Sequence, residues 1–310
     1  MLFRQLEYFV AVAREKHFAR AAEACYVSQP ALSAAIAKLE RELNVTLINR
    51  GHNYQGLTPE GERLVVWAKR ILAEHDAFKA EVAAVQSGVT GTLRLGTEPT
   101  SSTTVALPVA AFCAAHPLAK VHICSRLPST DLARLLREFE LDAAIGPFPP
   151  GEREGLLTVP LYEERYVLLA PEDRLKPDIR TMTWAEAAQL PLALLTEDMK
   201  IRQVIDGALA SSGVEVTAQV ETDSVASLYA HVGGGDWASI VPHTWLRAMP
   251  VTGRTRAVRL VEPETRAEVL VGINAAAPGS PIARAFVNVA TRLSLDDFFD
   301  RPLTGEDRLG

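Results

Sequence analysis

The sequence predicts an α/β protein with an all-α head at its N-terminus. Three observations carry that prediction. The stretch HFARAAEACYVSQPALSAAIAKLERELNVTLINR, residues 17–50, is rich in alanine and reads as two short helices around a tight turn. From Thr58 the chain runs for roughly 30 residues with hardly a helix breaker, and its apolar residues recur every three or four positions. Beyond residue 91, short β-rich runs alternate with helical stretches, the pattern of layered α/β folds.

Size and composition bound the rest. At 310 residues and 48% apolar content the chain can bury two or three cores. No apolar run approaches the ~20 residues of a membrane helix, and the opening MLFRQLEYFVAVAREKHF is too charged for a signal peptide, so a cytoplasmic location is expected. The cysteines, Cys25, Cys113 and Cys124, have no CxxC or metal spacing and read as small buried hydrophobes. The net charge of -6 argues against a wholly basic nucleic-acid coat. Residues 1–58, however, hold seven Lys/Arg against five Glu, so a local basic module is allowed.

Within the head, Leu6, Phe9, Val10 and Ala13 predict a helix over residues 2–14, and Phe18 to Ala24 a second, shorter one. Cys25-Tyr26-Val27 is the turn. Ser28 is a good N-cap, and Pro30 falls in the first helical turn, where its missing N–H costs little. Leu32, Ile36, Leu39 and Leu43 form the core stripe of the third helix. Rotation by about 100° per residue places Pro30, Ala34, Ala37, Lys38 and Arg41 on the opposite face, with Gln29 and Ser33 at its leading end. A helix in the ~12 Å major groove needs small side chains for close approach and a few polar ones near its N-terminus to reach base edges. Ser28, Gln29, Pro30, Ser33 and Lys38 are therefore candidate DNA contacts; the alternative is a helical hairpin packed on something else. Residues 45–50 read as a strand, Gly51 to Gly56 as a turn, and the two make a wing with Arg50 at its base as a candidate phosphate contact.

This winged helix-turn-helix resembles that of LysR-type transcriptional regulators. The matching residues are "AA" at 21–22, "VSQPALS" at 27–33, Ile36, "LE" at 39–40, "LNVTLINR" at 43–50 and "LTPEG" at 57–61. Many members carry Arg or Lys where this chain has Ala34, so one usual DNA contact is missing. The likeness to actinobacterial, particularly mycobacterial, members implies a link to oxidative-stress genes.

Thr58-Pro59-Glu60 is a strong helix start. Leu64, Ala68, Ile71, His75, Phe78, Val82 and Val85 then step by four and three, a coiled-coil seam that predicts a homodimer with two reading heads and double-stranded DNA with two-fold related half-sites as partner. The resemblance implies that such dimers pair again into a tetramer, with RNA polymerase as a further candidate partner.

SGVTG at 87–91 marks a boundary. Nine β-rich runs follow: "TLRLG", "KVHIC", "DAAIG", "YVLLA", "LALLT", "AQVET", "ASIVP", "AVRLV" and "EVLVGI". They predict mainly parallel sheets in two Rossmann-like lobes. The resemblance implies two subdomains like those of type 2 periplasmic binding proteins, with crossovers near Pro160 and Arg266. The expected organisation is 1–58 DNA-binding head, 59–88 dimerisation linker helix, 92–161 plus 266–300 effector-binding subdomain I, 162–265 subdomain II and 301–310 tail.

Ligands in such sheets sit beyond the C-terminal strand ends, where helix N-termini favour anions. Thr100, Ser101 and Ser102, Ser129 and Thr130 after Arg126, Thr196 with Arg202, and Thr222 all fall there, so a small polar or carboxylate effector is expected. Glu98 departs from the usual loop and would repel an anion or recognise a cationic or hydroxylated ligand. No GxSxG, Walker or Rossmann fingerprint is present, no metal or cofactor is called for, and the chain is not expected to be an enzyme. Two alternatives remain: a cytoplasmic small-molecule binder or enzyme built on the lobes, and a redox-responsive regulator of the same family. Against the second stands the resemblance itself: peroxide-sensing members use two cysteines in the second lobe, which here has none, Cys113 and Cys124 both falling in the first.

Overall fold

The computed structural model describes residues 1–50, 54–125, 127–249, 254–277 and 279–300. Of the expected turn at 51–56, residues 54–56 belong instead to a strand and 51–53 lie outside the described residues, as do Arg126, the tail and the side chains of Arg50 and Ser129.

The head opens with α1 (Phe3–Glu15), α2 (Phe18–Ala24) and α3 (Gln29–Leu43), then a two-stranded antiparallel wing of β1 (Ile48–Arg50) and β2 (Tyr54–Leu57). Leu6, Phe9, Val12, Leu32, Ile36, Leu39, Leu47 and Ile48 close one core. Leu43, expected in the core stripe, is 40% exposed, because the helix ends there on left-handed Asn44 and its last turn overruns the head. Only residues 48–50 of the expected strand 45–50 pair, since Thr46 and Leu47 instead accept hydrogen bonds at the foot of the next helix.

That helix is α4 (Pro59–Ser87), capped by the Thr58 hydroxyl, which accepts from the Gly61 amide at 2.9 Å. Gly61 is required here: a Cβ would overlap the Leu47 carbonyl oxygen. At 29 residues α4 spans roughly 43 Å. Its predicted seam divides. Ala68 is buried, and Leu64 and Ile71 pack on the head core of the same chain. His75 stacks on Phe3 at 4.0 Å. Phe78, Val82 and Val85 remain 69%, 46% and 83% exposed. The front half of the seam is thus intramolecular, a correction to the reading in which the whole stripe needs a second chain. Periodicity reports that a helix face is apolar, not which surface covers it.

Beyond the boundary come β3 (Gly91–Thr97), α5 (Ala106–Ala115), β4 (Ala119–Cys124), α6 (Ser129–Arg137), β5 (Ala143–Gly146) and the sixteen-residue β6 (Leu156–Pro171). Then follow β7 (Thr181–Thr183), α7 (Trp184–Ala187), β8 (Ala193–Leu195), α8 (Lys200–Ser211), β9 (Val220–Thr222), α9 (Val225–Gly233), β10 (Ser239–Pro242), α10 (Trp245–Ala248) and β11 (Thr255–Val261). The described chain closes with β12 (Arg266–Asn274), α11 (Pro281–Ala290) and α12 (Leu295–Asp300).

Every one of the nine β-rich runs contains or falls within a strand, but the sheets are mixed. The order is β4-β3-β5-β12-β6-β11-β7, with β10 also on β6. β3, β4 and β5 are parallel; β12 runs antiparallel to both β5 and β6, and β10 and β11 run antiparallel to β6. The parallel expectation fails at the crossovers, where a strand leaving one lobe meets another returning. Residues Leu156–Arg165 of β6 pair with β12, and Tyr166–Pro171 with β10 and β11. Each end serves a separate core: Leu93, Phe112, Val271 and Phe286 in lobe I, Leu168, Trp184, Ile205 and Trp245 in lobe II.

Lobe I is tied to α4. Lys69 Nζ lies 2.7 Å from Glu138 and 2.6 Å from Glu140, and Arg284 lies 2.9 Å from Glu81. A groove of about 820 Å³ runs between them, lined by Arg14, Lys69, Arg94, Glu138 and Asp142, away from the strand ends where a ligand was expected. Among the described residues, no helix is long and apolar enough to cross a membrane.

Candidate nucleic-acid interface and interlobe cleft

α3 presents two different faces. Leu32, Ile36 and Leu39 have no solvent exposure, whereas Gln29, Pro30, Ala31, Ala34 and Lys38 are exposed and Ser33 is half-buried. The Ser28 hydroxyl accepts from the Ala31 amide at 3.4 Å, so its first role is to cap the helix. Lys38 keeps its ammonium in solvent, 3.9 Å from Glu42. Glu40 accepts from the Leu47 and Ile48 amides at 2.9 and 3.2 Å, fixing the wing against α3. The backbone of Arg50 pairs with Tyr54 at the far end of the wing, not at its base as expected, because the pair nearest the head is Ile48 with Leu57. Four of the six candidate DNA residues therefore lie at or just before the N-terminal part of α3, Lys38 lies further along its exposed face, and Arg50 lies on the wing.

The candidate effector residues are not brought together as expected. Thr100 and Ser101 are buried in a 3-10 turn after β3, while the Ser102 hydroxyl is exposed and donates to the Pro99 carbonyl at 2.5 Å. Thr130 is exposed on α6. Thr196 and Thr222 meet at the ends of parallel β8 and β9, where the Thr196 amide donates to the Thr222 carbonyl at 3.1 Å. The Thr222 hydroxyl accepts from Ser224. Among the described residues the buried Thr196 hydroxyl has no partner.

Arg202 departs most from expectation. Its guanidinium is 3% exposed and donates to the Leu195 carbonyl at 2.7 Å, Glu221 at 2.7 Å and Asp206 at 2.8 Å. It braces α8 against β8 and β9 and has little capacity left for an anionic ligand. Asp206 stands four residues on along α8, a spacing visible in the sequence, but Glu221 reaches it only across the β8–β9 pair.

A polar group gathers where β6 passes the β3 loop, and motif reading found Glu98 and Thr100 but missed Tyr162, Glu164 and Thr244. Glu98 and Glu164 are both buried. Thr100 donates to Glu98 at 3.5 Å, and Thr244 donates to Glu164 at 3.2 Å. The Tyr162 and Thr104 hydroxyls share a 2.6 Å hydrogen bond. Burial raises the Glu164 carboxyl to about 7; the Thr244 hydrogen bond opposes that shift and the negative charge of Glu98 adds to it. Burial also pushes the Tyr162 and Tyr166 phenols up. Only the crossover of β6 between lobes brings Tyr162 and Glu164 to the loop of Glu98, Thr100 and Thr104, so no short motif contains the whole group.

An exposed reading face on a winged head, a long linker helix and a two-lobed α/β body define a DNA-binding regulator with a sensor domain. The comparisons give the family. Residues 3–62 match the model of the bacterial regulatory helix-turn-helix protein, lysR family, and residues 86–294 match the LysR substrate binding domain. The chain belongs to the LysR family of transcription regulators and is not an enzyme.

A probable hydrogen peroxide-inducible genes activator of Streptomyces viridosporus is 33% identical over 300 residues, covering 93% of this chain and 88% of the relative. A protein of the same description from Mycobacterium xenopi is 41% identical over 167 residues, covering 54% of this chain and 87% of the relative. These relatives agree with the actinobacterial likeness. Full-length OxyR from Pseudomonas aeruginosa, a substituted form, superposes with a TM-score of 0.76 at 25% identity, covering 95% of this chain and 99% of that one. CbnR, crystallised with its target DNA, superposes with a TM-score of 0.64 at 23% identity, covering 94% and 99%. The relatives' names favour the redox-responsive alternative over the carboxylate-effector reading.

Proposed function

We propose that two copies of this chain bind a two-fold DNA site through α3 and regulate transcription in response to oxidant. The carrying observation is the exposed face of α3, small at Ala34, polar at Gln29 and Lys38, and backed by a fully buried apolar stripe. The exposed end of α4, Phe78 to Val85, supports the dimer. Two observations weigh against a carboxylate effector in the cleft: the carboxyl groups of Glu98 and Glu164 are already buried there, and Arg202 is already paired. An oxidant response by thiol chemistry has to use a thiol outside 162–265, where there is no cysteine. Cys113 on α5 is exposed and Cys124 at the end of β4 is half-buried, which makes them the candidate thiols. Burial pushes up the Cys25 thiol in the head, which disfavours the reactive thiolate.

Footprinting of the gene's own upstream region tests both halves. Peroxide is expected to alter the wild-type footprint but not that of the Cys113→Ser/Cys124→Ser protein. A wild-type footprint indifferent to peroxide removes the oxidant reading and leaves the regulator. For the head, Gln29→Ala is expected to relax sequence preference at a cost of roughly 1–3 kcal/mol. Lys38→Ala should weaken binding to all sequences and flatten the salt dependence by about one counterion. Unchanged binding by both variants would rule out α3 as the reading helix.

A further inference from the structure

Tyr26 lies in the turn between α2 and α3 and is 96% exposed. Its neighbours Cys25 and Val27 pack on the head core. Its backbone is left-handed, with φ at 56°. Among the described residues its ring and hydroxyl have no partner. Both features oppose stability: a left-handed backbone strains a bulky side chain, and a ring left in water gains nothing from burial. A turn of this shape ordinarily draws Gly, Asn or Asp. A residue that is doubly unfavourable in the free protein is explained if it acts on something outside it.

Its position says what. Tyr26 stands three residues before Gln29, at the mouth of a helix whose N-terminal end exposes Ser28, Gln29 and Pro30. A helix that enters a major groove by that end brings the preceding turn close to the phosphates bordering the groove. Tyrosine hydroxyls are among the neutral donors that contact phosphate oxygens and set register.

We infer that the Tyr26 phenol donates a hydrogen bond to a DNA phosphate and fixes the register of α3 on the bases. This rests on the DNA-binding reading of the head. It is a positioning contact: it carries no charge, releases no counterion and reads no base.

The test uses the full-length protein and a duplex from its own upstream region, titrated over a range of salt. Tyr26→Phe removes only the hydroxyl and is expected to weaken binding tenfold or more, as for the loss of a hydrogen bond to a charged group. The loss should be similar on unrelated DNA, with an unchanged salt slope, unlike the flattened slope of Lys38→Ala. Tyr26→Gly should bind as weakly as Tyr26→Phe yet melt at a higher temperature, because it relieves the left-handed strain. A methylphosphonate at the contacted phosphate should weaken the wild type and leave Tyr26→Phe unaffected.

Wild-type affinity in Tyr26→Phe overturns the inference. So does a weakening seen only in Tyr26→Ala, which assigns the ring to packing. If the wild type binds no duplex from the region and Gln29→Ala and Lys38→Ala behave like it, the reading of the head itself has failed. If those two variants weaken binding while Tyr26→Phe does not, only the tyrosine contact is lost.

Discussion

Phe78→Asp is expected to yield a monomeric chain that no longer protects a two-fold DNA site at concentrations where the wild type does. Phe78 is 69% exposed on α4, and Val82 and Val85 continue the apolar face at 46% and 83%. Trp67, 57% exposed, lies further toward the head. Such a face on a helix of this length is unusual for a surface left in water. In the proposed two-fold dimer each substitution counts twice. Removing one Phe from a packed seam forfeits roughly 1.5–3 kcal/mol per copy, and the new carboxylates are desolvated without partners. The sum is on the order of 4 kcal/mol or more, about a thousandfold in the dimerisation constant. DNA affinity falls with it, because two linked heads bind far better than one. The head should stay folded, as Phe78 is not part of its core. Sedimentation and circular dichroism check the two halves together. A folded Phe78→Asp chain that remains dimeric would sink the assignment of this face.

The second large effect concerns pH. Glu164 titrates near 7 in the folded chain against an ordinary value of 4.5, chiefly because it is buried. The folded state therefore holds a proton that the unfolded state gives up between those values. Stability from this group is complete below about 4.5 and is lost as pH rises to about 7; fully lost, it amounts to roughly 3 kcal/mol. His243 works in the opposite sense. Burial, reinforced by the nearby Arg165, lowers it from 6.5 to about 4. The unfolded chain takes up that proton first, so stability is lost as pH falls from 6.5 toward 4. Across most of this window the two slopes oppose each other, and their sum in the wild type is shallow. Glu164→Gln keeps an acceptor for the Thr244 hydroxyl and removes one slope. The variant should be more stable than the wild type above pH 7, by up to about 3 kcal/mol, and should lose stability on acidification where the wild type hardly changes. Urea melts between pH 4 and 8 measure this. Superimposable profiles for the two proteins would show that Glu164 is ionised at ordinary pH.

Local chemistry made some parts of the molecule legible. Ser28, Pro30 and the Leu32–Ile36–Leu39 stripe define α3 because capping, proline placement and a 3.6-residue period act within one or two turns. Thr58-Pro59-Glu60 marks the start of α4 for the same reason. The nine β-rich runs were visible because a strand's own residues set its propensity. What could not be read were facts about partners. Met182 lies in β7 between two threonines, a run too short to stand out until β11 pairs with it. The Leu64–Ala68–Ile71 stripe would look the same whether it faced its own head or a second copy.

By itself the sequence determined the start and the two faces of α3, the length of α4 and the two-lobed α/β class, because each follows from the short-range periodicity and capping of a few neighbouring residues. Only the tertiary structure decided that Arg202 is occupied by Glu221, that Glu164 lies buried within reach of the charge on Glu98, and that half of the apolar face of α4 is already covered. Those outcomes depend on which strands cross between lobes and which surfaces meet. They join residues far apart in the chain, such as Glu164 and Thr244, 80 positions apart, through packing that no local pattern encodes.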